Sequence, residues 1–310
     1  MTSTVQTRNE SVASFRTRLF TAMMIIVATL TALGLYLAQR KVTADAERNL
    51  QENFQAELSS LHQLEELRHA ALAERCNVLA AKPRIHAAME DNAIDLLYPS
   101  AKDELRVLME GDEPPPGQAT QSLHARFYRF LDNAGLVIKP PNPKDVGELD
   151  PKTEAQLNLR KLPRTQQIGY VQASNKANEA TIDEVIAVPI FSTDNGDVIS
   201  ALVVGFKPLE LEEKGVEGGM KSGVWVSGVL HLPGLAKSAQ PALREEVVDA
   251  LKSSDREQDK FRINIHGAPH LLFYKRLNPG SVFPAAYEIC VYPLAYSLAQ
   301  LHRLRWQIGG

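Results

Sequence analysis

Asp183–Phe206 reads DEVIAVPIFSTDNGDVISALVVGF. Two apolar runs rich in Val and Ile, Asp183–Ser192 and Val198–Phe206, flank Thr193-Asp194-Asn195-Gly196. Branching at Cβ makes Val and Ile stiff and suits them to a pleated surface, so both runs favour extended backbone. Asp and Asn close turns through their own side chains, and Gly accepts positive φ. The stretch therefore predicts two strands folded back on each other.

The same pattern extends in both directions. Upstream, His124–Asp132 (HARFYRFLD) is an aromatic run, Asn133-Ala134-Gly135 a turn, and Leu136–Lys139 apolar again, which predicts a hairpin ended by Pro140–Pro143. A short helix over Pro151–Lys161 and a strand over Ile168–Gln172 follow. Downstream, Glu210–Gly219 is charged and contains glycine, a candidate boundary. After it the order recurs: a hairpin over Gly223–Leu232 with Ser-Gly at its tip, a helix over Pro241–Lys252, and strands over Lys260–Ile265, His270–Leu277 and Tyr287–Tyr292. Each half reads hairpin, helix, three strands. The fold class is α+β, with antiparallel-sheet modules over 120–210 and 220–293.

The N-terminal part is helical. Leu19–Ala38 (LFTAMMIIVATLTALGLYLA) holds no charge and no proline. At about 1.5 Å per residue it spans about 30 Å, the hydrocarbon thickness of a bilayer. A core helix of this length carries a polar stripe, and a cleaved signal peptide is followed by small residues rather than Gln39-Arg40-Lys41. Residues 19–38 are read as a transmembrane helix behind a polar, unstructured tail over 1–18. Charge does not orient it: Arg8, Arg16 and Arg18 on one flank balance Arg40, Lys41 and Arg48 on the other. The short tail favours a cytoplasmic N-terminus, with the bulk of the chain outside.

Beyond the span, residues 42–110 form a helical region. Val42 to about Lys82 lacks Pro and Gly, and Leu50, Phe54, Leu58, Leu61, Leu64 and Leu67 recur three or four apart as one apolar stripe. That stripe packs on its own domain, and its membrane-proximal half is expected to pair with a second copy as well. Pro83 breaks the helix; amphipathic segments over Arg84–Met89 and Ala101–Met109 precede the loop Gly111–Gly117 (GDEPPPG). Residues 294–310 read as a further helix with Leu294, Leu298, Leu301 and Ile308 on one side.

Composition narrows the function. A formal charge of −3 over 310 residues gives no reason to expect nucleic acid. No Gly-rich phosphate loop, HExxH, GxSxG or paired-Cys motif is present, so no catalytic residue and no cofactor is expected. Cys76 and Cys290 fit no metal spacing; two buried apolar thiols is the favoured reading, with one disulfide as the alternative in an oxidising compartment. His266 and His270 flank Gly267-Ala268-Pro269 and face each other across a hairpin, but zinc takes three or four ligands, so no metal is expected.

Taken together, the anchor, the long helix ending LAAKPRIHAAME (Leu79–Glu90), the hairpin FYRFLDNAGLVI (Phe127–Ile138), QQIGYV (Gln166–Val171) and Asp183–Phe206 resemble the Cache-type, PAS-like extracytoplasmic sensor domains of bacterial transmembrane receptors, in the double-Cache arrangement. The resemblance covers most of residues 42–306. It implies a homodimer through the long helix, a small-molecule ligand, usually in the membrane-distal first module, and an inner-membrane location with the modules in the periplasm. It also implies that YPLAYSLAQLHRLRWQIGG (Tyr292–Gly310) leads toward a second span and that an output module follows.

A PAS-like pocket lies between a sheet face and the loops over it. Tyr128 and Arg129 alternate on the first strand, so only one of them faces it. Arg164, Gln167 and Tyr170 lie on the loop-to-strand segment that covers the pocket in the family, and Asp183 sits at the entry to the next strand. A ligand carboxylate would take Arg129 or Arg164 by bidentate bonds; an amine would take Asp183. Two other readings stay open: a single-pass scaffold protein without a small ligand, and an anchored hydrolase whose nucleophile and base are brought together by the fold.

Overall fold

The computed structural model describes residues 6–110, 123–174, 180–209, 219–253 and 256–294. One helix, α1 (Gln6–Ala80), runs through the apolar stretch and the whole leucine-bearing segment. It takes in residues from Gln6 onward that the sequence reading left without structure. Phe20–Ala38, with mean hydropathy 2.0 and none of its apolar window buried, is long and apolar enough to cross a membrane. The chain divides into two compact units, and Glu57–Pro293 forms one of them. The loop 111–117 and the expected C-terminal helix lie outside the described residues, as does most of the expected boundary 210–219.

Within Glu57–Pro293, Pro83 starts α2 (Pro83–Glu90) at a position where its missing N–H costs nothing. α3 (Ile94–Glu110) follows. The first sheet contains β1 (Ala125–Leu131), β2 (Val137–Ile138), β3 (Gln167–Ser174), β4 (Ala180–Phe191) and β5 (Val198–Phe206), with a short helix α4 (Pro151–Ala155) before β3. The second contains β6 (Lys221–Val226), β7 (Val229–His231), β8 (Gln258–Ile265), β9 (Ala268–Arg276) and β10 (Ala286–Pro293), with α5 (Gln240–Ser253) between β7 and β8.

The strand orders are β2-β1-β5-β4-β3 and β7-β6-β10-β9-β8, antiparallel throughout. Numbered within each module these are the same order, so the repeat legible in the sequence is a repeat of topology. The turn of the opening stretch closes as its chemistry requires: Gly196 takes φ +72° and its N–H donates to the Ser192 carbonyl at 3.1 Å.

Strand alternation separates the two faces of the first sheet. Tyr128, Phe130, Ile186, Leu202, Val204 and Phe206 meet Leu72 and Cys76 of α1 together with Ile85, Leu97 and Leu105 of α2 and α3. Phe127, Leu131, Val185, Ala187, Ala201 and Val203 meet Leu157, Leu159 and Leu162 instead, so that face is covered by a strap of chain rather than by helices. This is why α4 stops at Ala155, short of the helix expected to Lys161. Leu159 N–H donates to the Gly135 carbonyl at 2.8 Å, and Asn158 Oδ1 accepts from Val137 N–H at 2.8 Å, drawing the strap against the first hairpin. In the second module α5 places Leu243 and Val247 against Trp225, Ile263, Leu272 and Ile289.

The stripe on α1 also differs from expectation. Leu61, Arg68, Leu72 and Cys76 face inward, whereas Leu64 and Leu67 are exposed, Leu67 by 70%. The buried line drifts off the leucines because charged residues of α1 find buried partners on the sheets.

Candidate functional site

Residues 62, 65 and 69 recur three and four apart, so they share one face of α1. His62 Nε2 lies 2.8 Å from Glu288 Oε2 on β10. One turn on, Arg68 pairs with Glu184 on β4 and donates to the Lys207 carbonyl at 2.6 Å, while His69 Nε2 lies 3.0 Å from Glu184 Oε1. Glu184 and Glu288 are each 1% exposed. Buried charge is tolerated only when paired, and α1 supplies the partners for one carboxylate in each sheet.

The electrostatics follow from that packing. Burial raises the Glu184 carboxyl, but the hydrogen bond from His69 and the charges of Arg68 and His69 outweigh it and hold the group below the usual carboxylate range. Glu65 goes the other way: burial, then the neighbouring Glu288 charge, push it up to about 7 against the opposing pull of His69, His62 and Lys275. The thiols are free and buried, Cys76 on α1 and Cys290 on β10. Burial pushes Cys76 up to about 12, so it is no nucleophile at neutral pH.

The six residues singled out in the sequence do not converge on one place. Tyr128 lies on the helix-covered face beside Tyr98 and Phe130, and its buried hydroxyl has no hydrogen-bond partner among the described residues. Arg129, 1% exposed, lies on the opposite face. Its Nε donates to Glu154 Oε1 at 2.8 Å, and its two terminal nitrogens donate to the carbonyls of Tyr128, Val146 and Gly147 at 2.8, 3.1 and 2.9 Å. Asp183 is buried and paired with Arg126; burial raises its carboxyl against the pull of that guanidinium. Tyr170 is buried with Ile182, Val224, Val226 and Ala286, beside Glu184 in register. Arg164 is exposed, and Gln167, half-buried, donates through Nε2 to the carbonyl and hydroxyl of Thr165 at 3.3 and 3.1 Å. Arg164 precedes β3, and Gln167 is its first residue.

The network on α1 escaped sequence reading. Its partners are as much as 226 positions apart, and the one available signal was the pair of histidines and glutamates breaking a leucine stripe at helical spacing.

No family model and no curated protein matches the chain. Among solved structures it is similar to the sensor domain of the V. cholerae histidine kinase DctB, at 12% identity and TM-score 0.40, covering 79% of this chain and 98% of that one. It is also similar to the periplasmic sensory domain of the Campylobacter jejuni chemoreceptor Tlp1, at 12% identity and TM-score 0.35, covering 81% and 93%. A third is the ligand-binding domain of the Campylobacter jejuni chemoreceptor Tlp3 in complex with L-valine, at 13% identity and TM-score 0.36, covering 86% and 96%. Each comes from a sensory protein. The likeness is to an arrangement of elements, not to a site.

Proposed function

We propose that this chain is the extracytoplasmic sensing part of a transmembrane receptor in the inner membrane. A small molecule binds at the strap-covered face of the first sheet and favours one packing of that sheet on α1. A ligand that prefers one of two packings shifts their balance, and α1 carries the change toward the membrane. The observation that carries this reading is the continuity of α1. One helix includes the membrane-length run and the side chains that hold Glu184 of one sheet and Glu288 of the other.

Arg164 and Gln167 are the ligand's contacts in this reading. Arg129 and Asp183 are already engaged by Glu154 and Arg126, while the exposed Arg164 is placed to take a carboxylate with both arms of its guanidinium. The module works as a homodimer. Leu64, Leu67 and Val78 are exposed on the side of α1 turned away from Leu61, Leu72 and Cys76, and an apolar face at this spacing suits a second copy.

Thermal-shift titration of the full chain in nanodiscs with amino acids, dicarboxylates and carboxylate-free amines tests the ligand reading. A carboxylate-bearing class should raise the melting temperature saturably, and Arg164→Ala should weaken it about 10- to 100-fold, the worth of a charge-assisted bond. No saturable shift with any class, or one indifferent to Arg164→Ala, would sink it.

A further inference from the structure

We infer that His62, Glu65 and Glu288 form a site for one divalent first-row transition-metal ion, with zinc as its probe, and that the ion ties α1 to β10. The inference stands apart from the small-molecule reading, which concerns the other module.

Among the described residues these three bring one ligand atom each to within 4.8 Å of one another. Donors bound tetrahedrally at 2.0–2.2 Å lie roughly 3.4 Å apart, so movements of about an ångström complete the geometry. His62 and Glu65 project from successive turns of one rigid helix, and Glu288 from the middle of a strand paired on both sides. Rigid elements hold a site better than loops do.

The charges also call for a cation. Glu65 and Glu288 are carboxylates set close together, one half-buried and one fully buried. No hydrogen bond to the Glu65 carboxylate is formed among the described residues. Lys275 stands opposite Glu288 in register on β9 but forms no ion pair with either carboxylate. The next pair along α1, Arg68 and His69, is committed to Glu184. Glu288 has outer support of the kind metal ligands have: Cys290 Sγ lies 3.5 Å from its other oxygen.

Donor chemistry selects the ion. An imidazole nitrogen beside two carboxylates suits zinc or its first-row neighbours better than the all-oxygen preference of calcium and magnesium. Three protein ligands leave a position for water. This departs from the sequence reading, which found no metal spacing in Cys76 and Cys290 and weighed His266 and His270. The ring nitrogens of those two lie 3.0 and 2.8 Å from the carbonyl oxygens of Ser238 and Ala268.

The test is calorimetric titration of the full chain in detergent, stripped with EDTA and desalted, using zinc chloride alone and then the chlorides of manganese, magnesium and calcium. One zinc per chain should bind saturably and raise the melting temperature, with magnesium and calcium giving no saturable heat at the same concentrations. His62→Gln, Glu65→Gln and Glu288→Gln should each weaken zinc at least tenfold, while His266→Gln binds like the unaltered protein. Each variant's metal-free melt checks that it folds; should Glu288→Gln fail, the other two ligand variants decide, His62 being 20% exposed at its side chain. Absence of saturable zinc binding, binding unmoved by His62→Gln or Glu65→Gln, or binding lost with His266→Gln would overturn the assignment.

Discussion

Replacing Arg129 with methionine tests what the buried guanidinium does. Methionine keeps most of the aliphatic stem and removes the charge and every donor. Four bonds go: one to Glu154 and three to backbone carbonyls. Glu154 is 29% exposed at its side chain and can rehydrate, and the Val146 carbonyl keeps the Tyr128 N–H at 3.0 Å. The Gly147 carbonyl is left facing an apolar side chain. Breaking a buried pair from one side costs about 3–5 kcal/mol; the partial exposure of Glu154 places the expected loss near the lower end, about 3 kcal/mol. For a unit of this size that is a fall in melting temperature of roughly 6–12 °C. Differential scanning fluorimetry of the full chain in nanodiscs reads it directly, with Arg129→Lys falling between because a lysine keeps the charge but not the fork. A melting temperature within about 2 °C of the parent would refute the reasoning, and would return Arg129 to the residues available for a ligand.

Leu72→Ala empties a fully buried position of α1 against the first sheet and should cost about 2–5 kcal/mol in urea unfolding; a loss under 1 kcal/mol would mean that α1 is not packed there. Gly169→Ala puts a methyl carbon 2.2 Å from Phe283 Cγ, so the ring must move, at about 1–3 kcal/mol by the same assay, and an unchanged midpoint would contradict the contact. Glu184 titrates below its unfolded value of 4.5, so its stabilising contribution is present above about pH 4.5 and is lost as pH falls through the lower folded value. Urea midpoints from pH 6 to pH 3 should therefore fall less steeply in Glu184→Gln than in the parent, and parallel profiles would count against the pairing with Arg68 and His69.

Much of the fold was legible because it is written in local chemistry. Val and Ile runs around Thr193–Gly196 can hardly be anything but paired strands, and the repeated order of elements carried over into identical strand orders. What failed were readings that depend on distant partners. The leucine stripe was followed through Leu64 and Leu67, yet the buried line of α1 passes through Leu61, Arg68 and Leu72, because Glu184 and Glu288 wait on the sheets. The helix expected to Lys161 stops at Ala155 because Leu157, Leu159 and Leu162 are needed over the sheet. The sequence set out the six candidate ligand residues by type and by their place on the expected strands and loops. It could not show that Glu154 and Arg126 already occupy Arg129 and Asp183.

The central claim is that α1 holds both sheets with one face and offers the other to a second copy, so that it can carry a signal. Oxidative cross-linking of Leu67→Cys in native membranes tests this most directly, the native thiols being buried. The account predicts a disulfide-linked dimer at Leu67→Cys, and none when the cysteine is placed at Glu66, which is exposed but about 100° around the helix from Leu67. Equal cross-linking at both positions, or none at Leu67, would contradict it.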